Sequence, residues 1–179
     1  MTDQPVSESG LVVPVPASYA LVHHYRLRFD PSALAGASEH ITVLYPFIAP
    51  AHLDCGVSAR LRTLFGAISP FPFALRATAW FGQDVLYLAP DPSAPFSRIT
   101  TLVSDEFGVL PYGGLYGAAT PHLTIGAIGP GGDLRALQRA ATDVAEGLPI
   151  EAAARDAWLI VGNNETGWSV RDRFPFAPG

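Results

Sequence analysis

Two short stretches of this sequence combine residue types that can carry out acid–base chemistry. The first is His40-Ile41-Thr42-Val43 and the second is His122-Leu123-Thr124-Ile125. In an extended strand, residues i and i+2 project from one face, so each His shares a face with its Thr while the aliphatic residues anchor the strand in a core. Histidine can act as acid or base near neutral pH because its unperturbed pKa is about 6.5. Two such pairs facing each other would surround a phosphate-sized group.

The elements that follow the two motifs also repeat. A helical pattern over residues 53–68 follows the first motif, and another over residues 133–148 follows the second. Each helix leads into a strand that reaches an Ala-Trp pair, at Ala79-Trp80 and at Ala157-Trp158. We therefore interpret the chain as a diverged duplication, in which the two tryptophans are a symmetric pair in the core. An approximate two-fold axis would bring the two motifs to a shared cleft from opposite sides.

Paired His-x-Thr-apolar motifs, one in each half of a chain near this size, resemble those of the 2H phosphoesterase superfamily, which includes the bacterial 2′-5′ RNA ligases. The resemblance covers nearly the whole chain beyond the first 17 or so residues. It implies an α+β fold of two pseudo-symmetric lobes of antiparallel sheet, with helices on the outer faces and a central cleft. Carried over residue by residue, it also implies that His40, Thr42, His122 and Thr124 are catalytic.

These four residues suit the hydrolysis of a cyclic phosphodiester. One histidine would take a proton from water, the other would protonate the departing ribose oxygen, and the threonines would donate hydrogen bonds to the non-bridging oxygens. We expect a phosphodiesterase that needs no metal and no cofactor and that hydrolyses 2′,3′-cyclic phosphates of nucleotides or RNA ends. The approximate symmetry leaves open which histidine is the acid and which is the base.

Three other functions remain possible from the sequence. The same residues could hydrolyse or ligate 2′-5′-linked or cyclic oligonucleotides. A module that binds nucleotides without turnover is disfavoured, because both histidines and both threonines are present. A zinc site among the five histidines (23, 24, 40, 52 and 122) is disfavoured too, since no His-x₃-His pair or acidic partner accompanies them.

Some members of the superfamily that this chain resembles have an arginine soon after the second motif, whereas this sequence continues with Gly126-Ala127-Ile128-Gly129. A basic phosphate clamp must therefore come from elsewhere or be absent. Arg26 and Arg76 are candidates for this role, because each lies on the polar face of its predicted strand. The first strand covers residues 18–29 and the other covers residues 71–80. Tyr87 occupies a comparable position for stacking on a base.

The stretch between residues 109 and 120 is predicted to be an irregular loop. It contains Pro111 and three glycines around Tyr112 and Tyr116. Because it leads directly to the second motif, the loop and its two tyrosines are our candidate lid or pocket wall for substrate binding. The alternative is a surface loop with two packed tyrosines.

Length and charge set the remaining expectations. We expect residues 1–17, which include Pro14 and Pro16, to be a flexible arm, and residues 18–179 to be a single bilobal domain. A net charge of −5 argues against binding of long duplex nucleic acid but leaves a small or terminal phosphate possible. No signal peptide or long apolar span is present, so we expect a cytoplasmic protein without membrane association, and we favour a monomer.

Overall fold

The computed structural model describes residues 7–117 and 119–178. This part of the chain forms both strands and helices. The strands are β1 Glu8–Pro14, β2 His40–Leu44, β3 Phe71–Phe81, β4 Val85–Asp91, β5 Leu123–Ala127, β6 Ile150–Ala154, β7 Asp156–Asn163 and β8 Gly167–Pro175. The helices are α1 Tyr19–Phe29, α2 Pro31–Leu34, α3 Cys55–Gly66, α4 Ala94–Phe107 and α5 Leu134–Glu146.

The strands form two four-stranded antiparallel sheets with corresponding orders. The first sheet runs β2-β1-β7-β8 and the second runs β5-β4-β3-β6. The strands of the two motifs, β2 and β5, therefore occupy equivalent edge positions. This arrangement confirms the predicted α+β fold with two related sheets.

Each sheet takes strands from both halves of the chain. β3 and β4 follow the first motif in sequence but belong to the sheet of β5, whereas β7 and β8 follow the second motif and belong to the sheet of β2. The two sheets therefore do not coincide with the two sequence repeats. Neither motif strand has a complete sheet without the other half of the chain.

The helices reinforce this exchange. α1 follows β1 of the first sheet but packs against β5 of the second, and α4 follows β4 of the second sheet but packs against β2 of the first. At Gly126 of β5 an added Cβ would lie 2.3 Å from Phe29 Cβ, so a glycine is required where α1 crosses this strand. The helix thereby holds the second motif strand at close range.

The two helices that follow the motifs begin in the same way. Asp54 Oδ1 accepts a hydrogen bond of 2.8 Å from the backbone N–H of Val57 at the start of α3, and Asp133 Oδ1 accepts one of 2.9 Å from Ala136 at the start of α5. Aspartate in this position satisfies an amide that has no partner within the helix. The shared caps agree with the predicted repeat of helix after motif.

The expectation that residues 1–17 form a flexible arm is wrong for residues 8–14. These residues are β1, an inner strand of the first sheet, which pairs with β2 on one side and β7 on the other. Leu11 and Val13 are fully buried and Val12 nearly so. The apolar run is continuous because the strand is covered on both faces, so it lacks the alternation that marks a half-exposed strand. Met1 to Val6 lie outside the described residues.

The predicted first strand over residues 18–29 is also wrong, because residues 19–29 form α1. Alternating apolar residues in this stretch satisfy a strand pattern, but the buried positions are Val22 and Arg26, four residues apart on one face of a helix. Because the buried Arg26 is charged, the apolar residues of this stretch do not recur at helical spacing.

Within residues 7–117 and 119–178, no helix is long and apolar enough to cross a membrane.

Candidate active site

The two motif strands lie against each other at the junction of the two sheets. β2 is an edge strand of the first sheet, β5 is an edge strand of the second, and the two are in contact without pairing as a ladder. The motifs are therefore neighbours in space, as the sequence predicted.

Both motifs show the predicted alternation of burial. Ile41 and Val43 in β2 are 0% and 2% exposed, and Leu123 and Ile125 around the second threonine are fully buried. The histidine and threonine of each motif are only partly buried. The aliphatic residues thus fix each strand in the core while the polar pair remains accessible.

The two histidines are oriented by equivalent hydrogen bonds. His40 Nδ1 lies 2.6 Å from the carbonyl oxygen of Ser38, and His122 Nδ1 lies 2.7 Å from that of Thr120. A carbonyl oxygen only accepts, so Nδ1 must carry the proton in both rings. In the neutral imidazole this leaves Nε2 as the unprotonated nitrogen, able to accept a proton. Both side chains are thus fixed in the same tautomer.

The environment favours the neutral form of both histidines. Burial, with a further contribution from the positive charge of Arg26, lowers the pKa of His40 to about 4. Burial also lowers the pKa of His122, opposed by its hydrogen bond to the Thr120 carbonyl. His122 contributes to the lowered pKa of His40, so the two rings are close enough to interact electrostatically. Arg26 makes the two sites unequal.

Arg26 does not occupy the position predicted for a substrate-binding residue. It lies on α1 rather than on a strand, and its side chain is 1% exposed. Its guanidinium donates to Asp30 Oδ2 from Nε and Nη2, at 3.2 and 2.8 Å, and lies 3.4 Å from Glu39 Oε1. Glu39 also binds His23 Nδ1 at 2.8 Å. Arg26 therefore acts on His40 through its charge from a buried ionic cluster, and substrate cannot reach it.

An aromatic pair flanks His122. The ring of Phe81 lies 4.9 Å and that of Tyr87 lies 5.5 Å from the imidazole, both in edge contact, and the two aromatic rings stack on each other at 4.1 Å. Tyr87 pairs across the sheet with Thr124. The structure thus places Tyr87 beside the second motif, and its predicted role in stacking on a base stays a prediction. Phe81 was missed by the sequence prediction.

The motif threonines keep their hydroxyls free of protein partners. Neither Thr42 Oγ1 nor Thr124 Oγ1 makes a hydrogen bond to another group within the described part of the chain. Hydroxyls at a partly buried strand position with no protein acceptor are available to an anion.

Arg76 forms ion pairs with carboxylates that are not part of the motifs. It lies at an irregularity of β3, where Nε is 3.1 Å from Asp91 Oδ2 and Nη2 is 3.8 Å from Glu151 Oε1. It makes no contact with either motif histidine. Its charge is therefore balanced by two acidic groups rather than left for a phosphate.

The predicted loop with two tyrosines reaches the end of β2. The backbone N–H of Tyr112 donates to the carbonyl of Tyr45 at 2.7 Å, and the two rings lie 6.4 Å apart. Tyr116 is 76% exposed and touches Tyr112 edge-on. The structure docks Tyr112 beside the first motif strand and leaves Tyr116 in solvent; Ala118 lies outside the described residues.

Trp158 lies near the site, although the sequence placed it in a symmetric core pair with Trp80. Trp158 lines a cavity of about 110 Å³ together with His40 and Val12, whereas Trp80 lines a separate depression with residues of α5. Alternation along β7 could have indicated this position. Ala157 and Leu159 are fully buried, so Trp158 between them points to the other face of the sheet. The two tryptophans are therefore not equivalent.

No group of three or more His, Cys, Asp or Glu side chains that could hold a metal ion occurs in residues 7–117 and 119–178. His23 is instead part of the ionic cluster with Glu39.

The edge strands of two antiparallel sheets bring the paired His-x-Thr motifs into contact. This is the architecture of a 2H phosphoesterase. The model of the 2′-5′ RNA ligase superfamily matches residues 13–166. The chain belongs to this superfamily, and membership supports an activity on phosphodiester bonds.

Solved structures show the same fold at low sequence identity. LigT of Escherichia coli complexed with NADP+ is 16% identical with a TM-score of 0.57, over 98% of this chain and 100% of that chain. LigT complexed with 3′-AMP is 15% identical with a TM-score of 0.58, over 97% and 99%. The protein TT0787 of Thermus thermophilus is 18% identical with a TM-score of 0.60, over 94% and 97%. Comparison with curated proteins gives no significant match.

Proposed function

We propose that this protein is a metal-independent phosphodiesterase that hydrolyses 2′,3′-cyclic phosphates of nucleotides or RNA ends. The observation that carries the proposal is the equivalent geometry of the two motif histidines. Each is held through Nδ1 by the backbone carbonyl two residues before it, at the start of two strands that contact each other. Equivalent presentation of two Nε2 atoms suits a reaction that needs a base on one side of phosphorus and an acid on the other.

In the proposed reaction, His40 is the base and His122 is the acid. Burial and the charge of Arg26 lower the pKa of His40 to about 4, so this histidine stays neutral, with Nε2 free to accept a proton, down to that pH. It takes a proton from water as the water oxygen bonds to phosphorus. The bond from phosphorus to one ribose oxygen breaks, and His122 Nε2–H protonates that oxygen. The product is a phosphate monoester beside a free hydroxyl.

Thr42 and Thr124 would bind the non-bridging oxygens of the phosphate. Their hydroxyls have no protein acceptor among the described residues, so each can donate to an oxygen on which negative charge develops. Loss of one such donor typically lowers kcat by about 10²- to 10³-fold.

A second candidate is the cleavage or joining of 2′-5′-linked oligonucleotides by the same four residues. The name of the superfamily favours it. LigT, which shares the fold, has been crystallised with 3′-AMP, a nucleotide with a terminal phosphate on its ribose. Joining is the reverse of phosphodiester cleavage, so in water we expect hydrolysis to dominate.

A substrate panel with excess chelator separates these candidates. It contains 2′,3′-cyclic mononucleotides, a short RNA with a 2′,3′-cyclic end, and a 2′-5′-linked dinucleotide. We expect chelator-resistant hydrolysis of the cyclic phosphates, and the monoester isomer that forms identifies the leaving oxygen. Turnover of the 2′-5′ linkage alone would favour the second candidate. Tight nucleotide binding with no product from any substrate would contradict both and indicate a binding module.

A further inference from the structure

A row of paired residues crosses the first sheet from the site to its far edge. Thr42 of β2 pairs with Val12 of β1, Val12 pairs with Trp158 of β7, and Trp158 pairs with Arg173 of β8. Cross-strand partners project from the same face of a sheet, and neighbouring strands lie about 4.8 Å apart. The backbone of Trp158 is therefore about 10 Å from that of Thr42, on the face that carries the motif.

Two cavities meet at Trp158. The smaller, of about 110 Å³, includes His40 and Val12 in its wall, and the larger, of about 750 Å³, includes Tyr19 and Arg155. Both share the indole of Trp158 and the loop residues 36–38. The larger cavity, which shares these walls with the one beside His40, falls within the size range of small-molecule sites.

Trp158 is held in a fixed orientation. Its indole N–H donates to Asp156 Oδ2 at 2.8 Å, and the guanidinium carbon of Arg173 lies 4.5 Å from the ring centroid. Arg173 covers one face of the indole, and the side chain is partly exposed and lines both cavities. A fixed aromatic ring stacks on a nucleobase at little cost in conformational entropy.

Positive charge beside this ring is not neutralised. Within residues 7–117 and 119–178, neither Arg155 nor Arg173 is paired with a carboxylate. Of the acidic residues of the larger cavity, Glu39 is paired with Arg26 and His23, and Asp156 accepts a hydrogen bond from the indole of Trp158. A free guanidinium beside an exposed aromatic face is the combination that binds single-stranded nucleic acid.

We propose that Trp158, Arg155 and Arg173 form a subsite for the nucleotide that precedes the reacting terminal phosphate. This inference rests on the proposed function and names its substrate as the end of a single-stranded RNA rather than a mononucleotide. The base of the preceding nucleotide stacks on the partly exposed indole of Trp158, and Arg155 binds its phosphate in the larger cavity. Arg155 and Arg173 then supply the positive charge that no arginine directly after the second motif provides.

The test compares kcat/KM for a cyclic-phosphate trinucleotide with that for a cyclic mononucleotide. We expect the parent to prefer the trinucleotide. Trp158→Ala should lower this preference by about 5- to 150-fold, the range that base–aromatic stacking provides. Trp158→Phe keeps a ring and should retain most of the preference. Arg98→Gln, at an exposed position of α4, is the control and should behave like the parent.

Arg155 has a separate readout in the salt dependence of trinucleotide binding. Loss of one phosphate contact should lower the slope of log Kd against log salt concentration by about 0.7 in Arg155→Gln. A merely structural role would change affinity without this change of slope. An unchanged slope in a folded variant would exclude Arg155 from the subsite.

Equilibrium binding separates failure of the subsite from failure of the proposed function. The protein is titrated with a trinucleotide that carries a 3′-phosphate and, separately, with a mononucleotide 3′-phosphate. The two dissociation constants are compared, and no turnover is required. If the parent turns over cyclic phosphates but binds both ligands equally, the subsite is wrong and the hydrolase stands. If the parent has no activity but binds the trinucleotide more tightly, and Trp158→Ala abolishes the difference, the subsite stands and the hydrolase is wrong.

Discussion

The two motif histidines are equivalent in geometry but not in electrostatics. Each donates Nδ1–H to a backbone carbonyl two residues earlier, yet Arg26 lowers only the pKa of His40. This asymmetry arises from α1, which brings a buried cation close to the first motif. It supports different proton-transfer roles for two residues that the sequence alone could not distinguish.

The pH dependence of kcat/KM follows from these pKa values. The active form needs neutral His40, which loses its proton as pH rises through about 4, and protonated His122, which loses its proton at a pKa below 6.5. We expect a bell-shaped profile with its acid limb near pH 4 and its optimum below pH 6.5. Steady-state kinetics on a cyclic mononucleotide measures it. A profile that rises to a plateau above pH 7 would contradict the assignment.

Replacement of Arg26 should destabilise the protein strongly. In Arg26→Met the carboxylates of Asp30 and Glu39, 6% and 4% exposed, lose their cationic partner. Breaking a buried ion pair on one side typically costs about 3–5 kcal/mol. Urea denaturation of the variant measures the loss in free energy of unfolding.

The matched control for this variant is Arg98→Met on the exposed surface of α4, which should change the stability by less than about 0.5 kcal/mol. Equal stability of the Arg26 and Arg98 variants would show that the buried cluster does not need its cation.

The motif residues could be predicted because their pattern is local. His and Thr alternate with aliphatic residues, and this period alone places them on one face of a strand. Arg26 and Trp158 could not be placed in this way. The environment of Arg26 depends on acidic groups brought to it by the fold, and the exposure of Trp158 depends on which face of β7 the helices cover.

β1 contributes an inner strand that the sequence did not predict. Leu11 is fully buried and pairs with Leu44 of the first motif strand. Leu11→Ala should therefore lower the free energy of unfolding by about 2–5 kcal/mol, the usual cost of a buried leucine truncated to alanine. Urea denaturation of the parent and the variant tests this value.

Leu115→Ala is the matched control, because this leucine is 80% exposed in the loop before the second motif. We expect a change of less than about 0.5 kcal/mol. If Leu11→Ala were equally mild, the N-terminal strand would not be part of the stable core.

Helices with a clear apolar stripe were predictable, and those without one were not. α3, α4 and α5 lie where apolar residues recur at helical spacing, and α4 ends at Gly108 with φ +67°, a conformation that suits glycine. α1 carries a buried arginine in its stripe, so its alternating apolar residues imitated a strand. The burial of this arginine is accompanied by ion pairs with Asp30 and Glu39, which a pattern of apolar residues does not reveal.

The repeat in the sequence predicted two related sheets but not the exchange of strands between them. Pairing of β4 with β5 and of β7 with β1 joins distant parts of the chain, and β3 and β8 enter the sheets as the antiparallel partners of β4 and β7. As a result the candidate site lies at a junction to which both halves contribute. Neither half of the chain alone can bring His40 and His122 together.

Hydrolysis of a 2′,3′-cyclic nucleotide by the parent, His40→Ala and His122→Ala, with chelator present, tests the two-histidine mechanism most directly. Both side chains are partly exposed, so both variants should fold, which circular dichroism would verify. We predict that the parent turns over substrate and that each variant loses about 10²- to 10⁴-fold in kcat, the usual contribution of a positioned acid or base. Full activity in either folded variant would contradict the mechanism.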